Sequence, residues 1–306
     1  MRVAWLASVR KGFGVKTHPF LAAGVGLFAL IAGLCVGTSP LKILNAFGQA
    51  QGVRILKDIG YAPHDRGFMD VYLPAPSPVR FPVVVFFYGG SWQSGEKADY
   101  AFVGQALAAR GIAAVVADYR LFPAVRYPDF LTDCVEATEA VFAHVSEWGG
   151  DPQRIFLMGH SAGAYNAAMV AMTSVAITTG PLPFKPLSHR LAGWIGLAGP
   201  YNFLPIKTES VKPVFNFDQV RADSQPIYYA GRLQVPAFLA VAGRDVSVNP
   251  TINTDALRRA LEESQNTVVY KSYPRTSHAT LIATLSTPLR FLGPVLDDVV
   301  DFVNAH

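Results

Sequence analysis

From Gln51 onward the hydrophobic positions fall in short unbroken blocks, each closed by glycine, proline or charge. FPVVVFFYGG (81–90), GIAAVVADYR (111–120), RIFLMG (154–159), LAGWIGLAG (191–199) and VPAFLAVAGRD (235–245) have this form. Such blocks are the pattern of strands buried on both faces, as in a parallel sheet. The residues between them change period. In DFLTDCVEATEAVFAHVSEWGG, the residues Leu131, Cys134, Val135, Val141, Phe142, Val145 and Trp148 recur at helical spacing, and Gly149-Gly150 end the run. TDALRRALEES and TPLRFLGPVLDDVVDFVNAH read as later helices, and TVVYKSY as a further strand. RILKDIGYA and FMDVYLPAP, ahead of the parallel part, predict an antiparallel pair. Alternation of this kind predicts one doubly wound α/β domain over residues 46–306, with no internal repeat.

Residues 200–234 fit neither period and are rich in Pro, Tyr and Phe. A connection this long inside a compact domain is usually functional. It lies between two predicted strands, so it is expected to form a short cap over the sheet's end. Pro205, Pro213 and Pro226 interrupt it, and Tyr201, Phe203, Phe215 and Phe217 are expected to supply aromatic walls to a pocket.

The first 45 residues have a different character. Residues 19–37, PFLAAGVGLFALIAGLCVG, are all apolar or small, about the length that crosses a bilayer as a helix. Arg2, Arg10, Lys11 and Lys16 precede them, which places the N-terminus on the cytoplasmic side and the remainder beyond the membrane. The apolar run is longer than a usual signal core and no A-x-A cleavage site follows it, so a retained anchor is expected rather than a cleaved signal peptide. Cleavage would leave a secreted or periplasmic protein.

Composition narrows the function. The chain of 306 residues is 51% hydrophobic and 16% charged, enough to bury a substantial core. Its net charge of +4 is unevenly placed: seven basic and no acidic residues precede Asp58, which leaves 19 basic against 22 acidic residues for the rest. No cluster of Lys and Arg with interleaved aromatics marks a nucleic-acid surface. Cys35 lies in the apolar run and Cys134 in a predicted helix, so no disulfide framework is implied. Neither CxxC nor HExxH occurs, and no metal site is expected.

Candidate chemistry centres on Gly159-His160-Ser161-Ala162-Gly163, where a strand gives way to a helix. Gly-x-Ser-x-Gly at such a junction is the nucleophile elbow, a sharp turn that exposes the serine hydroxyl. The motif alone also occurs by chance, so its surroundings decide. A serine hydroxyl needs a base to take its proton and a third group to orient that base. Asp245 ends a predicted strand, at the edge where open α/β sheets place ligands. His278 follows the strand TVVYKSY, which gives the chain order Ser, Asp, His. Asp218, Asp223 and Asp255 are weaker rivals, because none directly ends a strand. Of the other histidines, His18, His64, His144, His189 and His306 are misplaced, and the side chain of His160 is expected to diverge from Ser161. Gly89 and Gly90, leaving the strand before Ser91, and the amide of Ala162 are the candidate oxyanion donors.

The set Tyr88-Gly89-Gly90-Ser91-Trp92, ADYRL (117–121), GGDPQRIFLMGHSAGA (149–164), Asp245 and His278 resembles α/β-hydrolase esterases, in their carboxylesterase-like and hormone-sensitive-lipase-like branches. The likeness covers roughly residues 52–306. It implies a Ser-Asp-His hydrolase of carboxylic esters or related acyl compounds, acting on a small-molecule ester without a cofactor. The family usually opens the oxyanion motif with His-Gly-Gly, and Tyr88 stands where that histidine would brace the loop. A formamidase or peptidase using the same triad, or a non-catalytic hydrolase-like binding domain, are the alternatives.

Overall fold

The computed structural model describes residues 40–47, 50–173, 184–216 and 221–306. The expected membrane helix over 19–37, Cys35 and Phe217 lie outside the described residues. Among those described, no helix is long and apolar enough to cross a membrane. The chain divides into two compact units, Met1–Ile43 and Leu44–His306. A short helix, α1, covers Pro40–Ala46.

In the second unit the apolar blocks pair into one eight-stranded sheet. Its strands are β1 (Arg54–Gly60), β2 (Phe68–Leu73), β3 (Phe81–Phe87), β4 (Ala113–Ala117), β5 (Gly150–His160), β6 (Gly193–Leu197), β7 (Ala237–Ala242) and β8 (Val268–Tyr273), in the order β1-β2-β4-β3-β5-β6-β7-β8. β1 and β2 run antiparallel to each other, β2 runs antiparallel to β4, and every later pair is parallel. The difference has a simple cause. β1 and β2 are joined by a short connection, which suits antiparallel strands, whereas parallel neighbours need a crossover. β4, β6 and β7 are buried at every residue, as their unbroken apolar blocks require.

The crossovers carry α2 (Ala101–Ala108), α3 (Asp129–Trp148), α4 (Ala162–Thr173) and α5 (Thr254–Glu263), and α6 (His278–Ala283) and α7 (Val295–Ala305) follow the last strand. α3 ends at Gly149, whose φ of 90° is left-handed and favours a residue without Cβ. α4 has no exposed residue, and its alanines and glycine let it lie close against β5 and β6. One predicted helix is divided. Thr287–Leu292 forms a 3₁₀ turn and α7 begins only at Val295, because Gly293 and Pro294 cannot continue a helix between them. The sheet order reverses between β3 and β5, and the C-terminal ends of those two strands open the crevice where such sheets place ligands.

Candidate active site

Four loops at the C-terminal ends of the strands bring the candidate residues together. Ser161 follows β5 directly and has φ of 56°. Left-handed backbone in a residue with a side chain costs roughly 1–3 kcal/mol and persists only where the surroundings impose it. Two glycines do so here. A Cβ on Gly159 would lie 2.1 Å from the Gly163 carbonyl oxygen, and one on Gly163 would lie 2.0 Å from that of Phe87. The turn therefore closes only with glycine at both places. The Ser161 amide donates to the Leu197 carbonyl at 2.9 Å, which fixes the elbow against β6.

From this elbow a hydrogen-bonded row runs outward. The Ser161 hydroxyl lies 2.8 Å from His278 Nε2, and His278 Nδ1 lies 2.7 Å from Asp245 Oδ2. With the carboxylate accepting from Nδ1–H, the Nε2 lone pair faces the hydroxyl, the tautomer a base needs. The second Asp245 oxygen accepts from the amides of Ser247 and Val248, both at 2.9 Å. Burial alone would raise the Asp245 pKa, but the His278 bond and the Val248 and Ser247 amides hold it below the ordinary carboxylate value. Its side chain is only 2% exposed, while that of His278 is 16% exposed, so the row runs from the interior toward solvent. His278 is the first residue of α6, and Ser277 and Thr280 form a reciprocal capping box there.

The loop after β3 carries the candidate oxyanion donors Gly89 and Gly90. Gly90, Ser91 and Trp92 all have positive φ, from 53° to 128°, so the chain curls tightly past the elbow. Gly89 packs so closely that a Cβ would sit 2.9 Å from that of Ser161. Among the described residues no backbone carbonyl accepts from the Gly90 amide. The Ala162 amide is one of the unpaired donors at the start of α4. The Gly89 amide acts on the Tyr100 phenol, whose pKa burial pushes up to about 12.

Tyr88 shows what stands in for the family's usual histidine. Its ring is fully buried, stacked between Tyr100 and Tyr119. Its hydroxyl donates to Asp118 Oδ1 at 2.6 Å and accepts from Arg66, which also bonds the Gly95 and Tyr119 carbonyls. The Tyr119 hydroxyl in turn donates to the Tyr88 carbonyl at 2.8 Å. Both ends of the loop after β3 are thus tied to one buried network. Burial raises the Asp118 pKa, and the Tyr88 hydrogen bond and the Arg66 charge partly offset it.

A cavity of about 850 Å³ opens above Ser161, within the range of small-molecule sites. Its wall corrects the expectation for the insertion. Tyr201 and Phe215 are buried, 0% and 1% exposed, and do not line it. Phe215 instead packs with Trp92, Tyr127, Phe130, Tyr165 and Phe203 in an aromatic cluster. Phe203 and Trp92 do reach the cavity, and Leu204, Pro205, Ile206 and Val211 give it an aliphatic side. Among the described residues one group of possible metal ligands converges, His64, Asp133 and Glu136. Asp133 there is already held at both oxygens by Arg120, so a cation would compete with a guanidinium.

His160 is the residue whose part the sequence did not reveal. Its Nε2 lies 2.9 Å from the His278 carbonyl oxygen.

Fold and site together define an α/β-hydrolase of the esterase kind. The BD-FAE family model matches residues 69–261, well over half of the chain, and the protein belongs to that family. Among its relatives is an isoprenylcysteine alpha-carbonyl methylesterase of Arabidopsis thaliana, 37% identical over 275 residues, which are 83% of this chain and 63% of that protein. A kynurenine formamidase of Danio rerio is 27% identical over 236 residues, 75% of this chain and 76% of the relative. The chain spans between about a third and just under two thirds of the length of the methylesterases it matches. Among solved structures, an inhibited esterase B from Lactobacillus rhamnosis aligns with a TM-score of 0.73 at 17% identity, over 94% of this chain and 97% of that one. At that identity the likeness is one of fold.

Proposed function

We propose that the protein hydrolyses carboxylic esters through a Ser161 acyl-enzyme. The observation that carries this reading is the row from Asp245 Oδ2 through His278 to the Ser161 hydroxyl, with contacts of 2.7 and 2.8 Å at the floor of a cavity. His278 Nε2 takes the Ser161 proton as Oγ attacks the ester carbonyl, and Asp245 orients the imidazole and stabilises its cation. The amides of Gly90 and Ala162 receive the oxyanion, a contribution of several kcal/mol to barrier lowering in related chemistry, while the Gly89 amide is engaged by the Tyr100 phenol. His278 then returns the proton to the leaving alcohol. Water, activated by the same histidine, releases the acid.

The methylesterase relative supports a small alcohol on the leaving side. The aliphatic side of the cavity supports a larger acyl group. The kynurenine formamidase relative favours a second substrate for the same machinery, a formamide, whose carbonyl would meet the same donors. The apolar run at 19–37 and the basic residues before it support attachment to a membrane with the hydrolase domain on the far side. A panel of nitrophenyl esters and an aryl formamide, assayed with the wild type and with Ser161→Ala, tests the reading. Ester hydrolysis that survives the substitution refutes it.

A further inference from the structure

We infer that His160 is a positioning residue for His278: its imidazole holds the His278 main chain in place, and so sets the base at its distance from Ser161. This rests on the reading of Ser161 and His278 given above. His160 ends β5, immediately before the nucleophile, and its side chain is nearly enclosed, 5% exposed for the whole residue. Its Nε2 lies 2.9 Å from the carbonyl oxygen of His278, and a carbonyl only accepts. Nε2 therefore carries the hydrogen and Nδ1 the lone pair. The two rings lie 4.9 Å apart between centroids.

On its other flank His160 meets the oxyanion loop, where a Cβ on Gly89 would lie 3.3 Å from Nδ1. The ring thus fills the space between the loop that carries the donors and the residue that carries the base. Other ties on the His278 segment come from elsewhere. The capping box is made by Ser277 and Thr280 within α6, and the Thr276 carbonyl accepts from the Arg244 amide at 2.9 Å. Apart from the His278–Ser161 bond itself, His160 links that segment by its side chain to the strand that precedes the nucleophile. Burial, with the nearby His278, lowers the His160 pKa to about 3, so the donor tautomer persists and no second cation forms beside the base. The cost is a buried Nδ1 without a partner.

A misplacement of about 1 Å in a reacting group costs roughly 10²-fold in rate. His160→Leu, which removes the donor, is expected to lower kcat by roughly 10- to 100-fold with KM changed by less than about twofold. His160→Gln can donate to the same carbonyl and is expected to recover most of that loss. The low-field proton NMR signal of His278 Nδ1–H, present in the wild type, should broaden or vanish in His160→Leu and return in His160→Gln. One measurement needs no variant: ¹⁵N shifts of histidine-labelled wild-type protein should show His160 as the neutral Nε2–H tautomer. An Nδ1–H tautomer overturns the inference. Wild-type kcat in His160→Leu, or equal losses in Leu and Gln variants, does the same. Should Ser161→Ala leave ester hydrolysis intact, the esterase reading fails, yet the tautomer and the His278 signal still report on the tie itself.

Discussion

Enclosing a neutral histidine has a consequence for acid stability that can be worked out from the site. His160 titrates near 3 in the folded protein, chiefly because burial penalises the cation, against an ordinary value of 6.5. The His278 charge lowers it further, while the His278 carbonyl and Asp245 act in the opposite direction. Between these two values the unfolded chain binds the proton and the folded one does not, so stability rises with pH across that window. Conversely, stability is lost as pH falls below 6.5. At pH 5 the loss is about 1.5 units at 1.36 kcal/mol each, or roughly 2 kcal/mol, and at pH 7 it is nearly nil. Asp245 does not contribute in this range. Its folded pKa is below 3.8, so its stabilisation is complete above that value and lost only as pH falls below it. The perturbation is His160→Gln, which keeps a donor and removes the titration. Urea unfolding of wild type and variant, followed by tryptophan fluorescence at pH 7.5 and pH 5.0, gives the two stability differences by linear extrapolation. The wild type should lose about 2 kcal/mol more than the variant between the two pH values. Equal losses would show that His160 is not held neutral, and the reasoning from burial would fail.

Other expectations concern catalysis, the loop, the cavity and the membrane. Ser161→Ala and His278→Ala should each lower kcat by several orders of magnitude, and a fluorophosphonate probe should label Ser161 only; Asp245→Asn should also be severe, through the wrong tautomer of His278. Tyr88→Phe keeps the stacked ring but removes a hydrogen bond to the Asp118 carboxylate, so unfolding free energy should fall by about 1.5–3 kcal/mol. Thermal unfolding checks this, and a matching drop in kcat would show that the network steadies the donors. With ~0.8 kcal/mol per buried methylene, kcat/KM should rise roughly fifteenfold from nitrophenyl acetate to butyrate and stop rising at medium chains. A continued rise through palmitate would contradict an 850 Å³ cavity. Residues 19–37 should keep the protein in the membrane fraction through carbonate extraction, whereas a mature N-terminus near 38–45 would establish cleavage.

Much of this site could be read from the chain because its signals are local. Strands such as β4 and β7 are enclosed on both faces, so their apolar blocks leave no ambiguity of period. Ser161, Asp245 and His278 each follow a strand, and a parallel sheet gathers such positions at one edge. His160 was illegible for the opposite reason: its partner lies 118 residues away, and nothing in Gly-His-Ser announces a bond to a distant carbonyl. Arg66 is similar, since it precedes β2 yet closes the network behind Tyr88. In the insertion, Phe203 and Phe215 carry no period that tells an inward face from a pocket face. One reaches the cavity and the other is enclosed behind it.

Trp92 belongs to two structures at once. It follows Gly89 and Gly90, the proposed oxyanion glycines, with its backbone in the left-handed region, and its indole packs on Phe203 and Phe215 of the insertion. Its Nε1–H is also bonded to Asn166 on α4 at 2.9 Å. The segment that shapes the cavity is therefore wedded to the segment that would receive the oxyanion, through a single side chain. Exchange of residues 200–234 for another protein's insertion would leave that indole bonded to Asn166 but without Phe203 and Phe215. A transplanted specificity would then have to bring its own residues 88–97, and the two stretches would be inherited, or engineered, as a pair.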